Sequence, residues 1–178
     1  MGSSVSFFRT HFGWWGLAGD GHRVTRLWIG HTSLTQVRKR ARDACPDHRE
    51  TDWQPELRTA LQRYTHGEQV GFDAIKLDLN GYTDFQQRVI RMARRVAYGR
   101  RQTYGSLAAQ AGTPGAARAV GNVMAGNRFP IIVPCHRIVL SSGGLGGFSA
   151  PRGVSLKRKL LHMESGQTVL EFRQQAAS

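Results

Sequence analysis

Apolar side chains follow two rhythms along this chain, and the change between them divides it. Val5–Leu17 and His22–Gly30 are rich in aromatic and β-branched residues and flank Gly19-Asp20-Gly21. That pattern predicts strands around a hairpin turn. Thr32 or Ser33 is placed to cap a short helix through about Ala44. Pro55 sits near the start of another helix ending around Tyr64, and a mixed, strand-like segment follows to Leu79. Asn80-Gly81 is the predicted boundary.

Helical spacing governs the rest. Thr83-Asp84-Phe85-Gln86 reads as a capping box, in which the Thr hydroxyl and the Gln side chain each satisfy an orphan amide. Phe85, Val89, Met92, Ala93 and Val96 then recur on one helical face until Gly99 closes the helix. Arg88, Arg91, Arg94 and Arg95 cover the other faces as a solvated surface. Thr103 caps a helix over Tyr104–Ala111, Gly112-Thr113 turns, and Pro114 opens a second helix that runs to Ala125. This is helix-turn-helix spacing. Gly115, Ala116, Ala117, Ala119 and Gly121 give the second helix a low profile, although glycine inside a helix costs roughly 0.5–1 kcal/mol against alanine. Either a partner approaches the helix backbone closely or a neighbouring helix packs tightly there. Arg118 on the same face favours the first. The expected fold is α+β in two domains: a small sheet-and-helix domain over 1–80, serving as support, and a mostly helical domain over 81–178 with a winged helix-turn-helix.

Charge sharpens that division. Net charge is +13, with 11 Lys+Arg against 9 Asp+Glu in residues 1–80 and 14 against 3 in residues 81–178. The second half is therefore the candidate polyanion binder. Only Lys39, Lys76, Lys157 and Lys159 among the 25 basic residues are lysines, and arginine forks phosphate oxygens. An Arg-favouring genome would leave the same imprint. Two cysteines cannot form a disulfide framework and suit a reducing, cytoplasmic compartment. Cys45-Pro46-Asp47-His48 offers at most half a zinc site, so neither a metal nor another cofactor is expected. No membrane span or secretory leader is expected, and Met1–Ser6 fits a myristoylation pattern only formally.

The candidate chemistry lies in Phe129–Val139. An apolar run delivers Cys135 between Pro134 and His136, and the proline restricts both itself and Val133. A lone cysteine is usually a small buried hydrophobe. Here His136 offers a base and Arg137 a positive field, both expected to lower a thiol pKa. Neighbouring side chains in extended chain point apart, so His136 is expected to reach the sulfur through a water. Among the three carboxylates of the basic half, Asp84 belongs to a cap and Glu171 to the tail. Glu164 remains to orient the histidine. The glycine-rich Ser141–Ser149 segment lacks the features of a phosphate-binding loop and suits a loop folding over a planar substrate.

The run Ile132-Val133-Pro134-Cys135-His136-Arg137-Ile138-Val139 resembles the active-site signature of the O6-alkylguanine-DNA alkyltransferases, the methylated-DNA–protein cysteine methyltransferases. The similarity extends from about Phe85 to Glu164, through Thr103-Tyr104-Gly105, Ala116–Gly121 and Gly126-Asn127. It implies direct reversal of DNA damage: O6-alkylguanine (O6-methylguanine above all, with O4-methylthymine a further candidate) flips from duplex DNA and gives its alkyl group to Cys135 irreversibly. His136 would then be the water-mediated base, Glu164 its orienting partner and Asn127 the brace of the active turn. Tyr104 would donate a hydrogen bond to N3 of guanine, helping the base leave as a neutral species. Arg118 would fill the stack, and Thr103, Ala116, Ala117, Gly121 and Ser141 would face DNA. Met124, Pro130, Phe148 and Ser149 would join Tyr104 in lining the base pocket. The resemblance implies a monomer in solution and leaves cooperative assembly on DNA open. Phe148 stands where many members carry Tyr, and Ser149–Ser155 is longer than in some. Two readings compete: a helix-turn-helix binder with a structural cysteine, and a cysteine hydrolase using Cys135 and His136.

Overall fold

Side-chain alternation in the first half produces a small, mainly antiparallel sheet. In the computed structural model, which describes residues 2–166, β1 (Ser4–Thr10), β2 (Gly13–Asp20) and β3 (Arg23–His31) form consecutive hairpins, and β4 (Arg49–Glu50) adds in parallel beside β1, giving the order β3-β2-β1-β4. The stretch Val5–Leu17, expected as strand throughout, is folded back at His11-Phe12. Gly13 makes this possible. Its φ is +103°, and a Cβ there would lie 2.4 Å from the His31 carbonyl oxygen, so only glycine fits.

Helix α1 (Leu34–Ala44), capped by Ser33, covers one sheet face through Val37 and Ala41. Helix α2 (Pro55–Thr65) turns Leu57, Leu61 and Tyr64 toward the other face and the second half. The segment expected to be strand-like up to Leu79 makes a single bridge, Val24 to Leu77, and is otherwise irregular. Arg94, at the C-terminal cap of the following helix, holds it by donating to the carbonyls of Phe72, Asp73 and Ile75, so Arg94 is a tether and not a solvated charge.

In the second half α3 (Asp84–Ala93) carries both bonds of its capping box, but it stops well before Gly99. Short β5 (Gln102–Thr103) leads into α4 (Tyr104–Gln110), followed by α5 (Ala117–Ala125). Pro114 does not open α5: Gly115 has a φ of +85°, so the helix starts only at Ala117. A single 3₁₀ turn, Cys135–Arg137, runs into β6 (Ile138–Val139), which pairs in parallel with β5, and α6 (Gly153–Glu164) closes the fold. One continuous apolar core joins Phe8, Trp15, Leu27 and Leu61 to Val89, Leu107, Val120, Phe129 and Leu160. Leu27 also donates its amide to the Arg128 carbonyl at 2.8 Å. Among the described residues no helix is long and apolar enough to cross a membrane.

Candidate active site

The Cys135 turn is held by its approach. Asn127 accepts the Phe129 amide at 2.9 Å and donates to the Val133 carbonyl at 2.9 Å. Between these contacts Ile131 adopts a φ of 73°, a region costing a β-branched residue about 1–3 kcal/mol unless its surroundings enforce it. Ile131 is buried, and a Val133-to-Phe129 backbone bond of 2.8 Å closes the loop. The turn therefore arrives preformed, with Cys135 5% exposed at its start.

Behind the cysteine lies a buried carboxylate hub. Glu164, near the C-terminal end of α6, accepts from His136 Nε2 (2.8 Å), from Arg137 Nε and Nη2 (both 2.9 Å) and from the Gly99 amide (3.2 Å). Tyr64 of α2 donates to the same Oε1 that holds His136, at 2.6 Å, and its oxygen lies 3.2 Å from Nε2. These donors hold the Glu164 carboxyl well below the usual carboxylate range, although burial works the other way. With Nε2 committed to Glu164, the Nδ1 of His136 is buried and has no hydrogen-bond partner among the described residues. Burial, the largest influence, lowers the His136 pKa below its ordinary 6.5, so the resting ring is a neutral acceptor at Nδ1.

Burial also pushes the Cys135 thiol above its ordinary 9.0, opposite to the lowering expected from its neighbours in sequence. Desolvation of the thiolate outweighs the hydrogen bond from Asn127 and the positive charge of Lys157. Arg137 supplies no such field, because its guanidinium is spent on Glu164 and the Val96 carbonyl. The cation that does face the sulfur is Lys157 of α6. It is fully buried, donates to the Ile138 carbonyl at 2.6 Å, and is brought down to about 8 by burial.

Sequence reasoning missed both Lys157 and Tyr64. Lys157, Leu160, Leu161 and Glu164 share one helical face at i, i+3, i+4 and i+7, a spacing that would have placed the lysine beside the carboxylate. Tyr64 extends the buried Leu57-Leu61 stripe of α2, but nothing in that stripe names its partner 100 residues away.

In front of the cysteine, a hollow of about 660 Å³ is lined by Tyr104, Arg118, Gly121, Met124, Phe148 and Ser149, among others. Burial and the proximity of Cys135 raise the Tyr104 pKa, keeping its hydroxyl a donor, and that hydroxyl has no partner among the described residues. Among the described residues a Cβ on Gly121 would meet nothing within 4 Å, so the helix at this position borders open space and not a neighbouring helix. Arg118 is exposed on the same helix. Pro130 lines a second hollow on the far side of Phe148 and Ser149. Thr103 is occupied as the cap of α4, Ala116 immediately precedes α5, and Ser141 lies on an exposed turn. None of these three lines either hollow. Glu171 lies outside the described residues.

The chain is similar to known proteins over nearly all of its length. Residues 84–166 match the family described as "6-O-methylguanine DNA methyltransferase, DNA binding domain". A methylated-DNA–protein-cysteine methyltransferase of Mycobacterium tuberculosis is 41% identical over 157 residues, covering 85% of this chain and 86% of the relative. A constitutive one from Bacillus subtilis is 33% identical, covering 83% and 87%. Among solved structures, the Mycobacterium tuberculosis OGT in complex with DNA has a TM-score of 0.76 at 36% identity, over 92% of this chain and 93% of that one. The O6-methylguanine-DNA methyltransferase of Pyrococcus kodakaraensis has a TM-score of 0.69 at 26% identity, covering 91% and 98%. At 41% and 33% identity to the Mycobacterium tuberculosis and Bacillus subtilis relatives, over more than four-fifths of each, this chain belongs to the methylated-DNA–protein-cysteine methyltransferase family.

Proposed function

We propose that the protein repairs duplex DNA by taking the alkyl group from O6-alkylguanine onto Cys135, once per molecule. The observation that carries this is the position of Cys135, between an open hollow bordered by the low-profile helix α5 and a buried base with a free Nδ1. The guanine enters rotated out of the stack, at a cost of a few kcal/mol in unpairing, and Arg118 takes its place. Thr103, Ala116, Ala117, Gly121 and Ser141 face the DNA, while Tyr104, Met124, Phe148 and Ser149 wall the base and Pro130 extends that wall.

His136 Nδ1 receives the thiol proton through a water, and Glu164 steadies the imidazolium that results. A sulfur lone pair forms the S–C bond as the C–O6 bond breaks. The released electrons spread over the purine, and Tyr104 eases that charge by donating a hydrogen bond to N3, helping the base leave as a neutral species. The thioether formed has no good leaving group and lies off the reversible oxidation ladder of cysteine, so the reaction ends there. We assign residues 81–178 to the DNA-binding, reacting domain and 1–80 to its support, with Tyr64 reaching from the support into the site. A reducing compartment that holds DNA, cytoplasmic or nuclear, suits the free thiol. Incubation with excess O6-methylguanine duplex should place one methyl group per protein on the Cys135 peptide. Transfer continuing well past one, or methylation elsewhere, would refute the proposal.

A further inference from the structure

Cys135 sits where two hollows meet. Besides the one bordered by α5, a cavity of about 460 Å³ reaches the cysteine from the other side of Phe148–Ser149, and the two share Ala125, Cys135, Phe148 and Ser149. That volume falls in the range of roughly 300–1,000 Å³ typical of small-molecule sites. Methyl transfer makes no use of it, since a methyl group has no atoms beyond the reacting carbon.

The walls of this cavity come from both halves of the chain. Trp28 and Pro130 supply apolar surface, and Arg26, Arg40 and Arg128 make it basic. Its carboxylate, Asp43, is paired with Lys39 at 3.3 Å. His31 is buried, and burial followed by the charge of Arg40 keeps its pKa below the ordinary 6.5, so it adds no charge near neutrality. Arg128 is committed to the Asp78 and Asn80 carbonyls and the Tyr82 hydroxyl. Arg26 and Arg40 donate to no acceptor among the described residues, although Arg26 lies 5.9 Å from the centre of the Trp28 ring. Two guanidinium groups thus border a half-apolar hollow without a carboxylate of their own.

In-line displacement sets Sγ, the reacting carbon and O6 on one axis, so any substituent on that carbon projects off the axis. With guanine beside Tyr104, the second cavity is the space at Cys135 left to receive it. We infer that this cavity is a subsite for the substituent on the transferred carbon, and that Arg26 and Arg40 favour O6-alkylguanines whose substituent ends in a carboxylate. The inference rests on the proposed alkyl transfer and changes none of its bonds: S–C forms, C–O6 breaks, and the carboxylate travels with the carbon onto the sulfur.

Free bases separate this role from a phosphate contact. The protein is reacted with O6-(4-carboxybenzyl)guanine, its neutral carboxamide, O6-benzylguanine and O6-methylguanine duplex. A partly screened ion pair predicts that the acid reacts about 3- to 10-fold faster than the amide. In Arg26→Ala/Arg40→Ala the ratio should fall to about one, and in Arg40→Glu below one, while O6-benzylguanine reacts at the parent rate in both. An acid-to-amide ratio of one or less in the parent, or a ratio unchanged in the variants, overturns the subsite while leaving methyl transfer standing. Loss of methyl transfer in the parent protein would instead bring down the proposed function and the subsite together.

Discussion

Tyr64→Phe isolates a single hydroxyl that joins the two halves at the buried carboxylate. The hydroxyl donates 2.6 Å to Glu164 Oε1 from a side chain with no solvent exposure. A hydrogen bond to a charged group contributes about 1.5–3 kcal/mol. Glu164 would keep His136, Arg137 and Gly99 as donors, so the carboxylate does not become an orphan charge and the loss stays within that range. At about 2–4 °C per kcal/mol for a chain of this size, thermal unfolding should come roughly 3–12 °C lower. The effect also has a sign in pH. The folded Glu164 pKa lies below its ordinary 4.5, so its contribution is complete above that value and is lost as pH falls through the folded pKa. Removing one donor lets the folded pKa rise, and the variant should therefore unfold at a higher pH on acidification than the parent. Because the same oxygen positions His136, single-turnover alkyl transfer should slow by about tenfold through lost alignment. Calorimetry, acid titration of fluorescence and quenched-flow transfer measure the three effects. A variant with the parent's melting temperature and the parent's rate would show that the contact does no work in the folded protein.

Three further outcomes are expected. Arg118→Ala should slow repair of duplex substrate by about 10- to 100-fold, the scale of a few kcal/mol of unstacking, yet barely affect reaction with free O6-benzylguanine; equal losses would assign Arg118 to the fold or the pocket. Gly121→Leu should stabilise α5 by roughly 0.5–1 kcal/mol, since nothing lies within 4 Å of the new Cβ. The same change should weaken duplex binding by about tenfold, because the helix must enter a minor groove only about 6 Å wide; a more stable variant with undiminished affinity would keep α5 out of the groove. Transfer should be level from about pH 6.5 to about 7.5, below the titration of Lys157 at about 8, and decline as His136 protonates below its ordinary 6.5, because the proton leaves a raised thiol through a neutral imidazole inside the complex. A rate rising about tenfold per pH unit over that span would mean a thiolate formed in advance.

Local signals in the chain carried most of the second half. Thr83-Asp84-Phe85-Gln86 states its own capping box and Thr103 its own cap, because each depends on residues a few positions apart. Helix ends were less legible. Gly115 at φ +85° delays α5 past Pro114, and α3 ends at Ala93, well before Gly99, although Val96 beyond it is still buried. The first half hid a complete hairpin inside Val5–Leu17, because the requirement for glycine at position 13 comes from the His31 carbonyl on a different strand. Electrostatics depended most on tertiary structure. Sequence neighbours suggested an activated thiolate with Arg137 as its field. Folding buries the thiol, turns Arg137 onto Glu164, and brings Lys157 and Tyr64 to the site from α6 and α2. A pKa answers to everything within a few ångströms, and in a packed core most of that comes from distant parts of the chain.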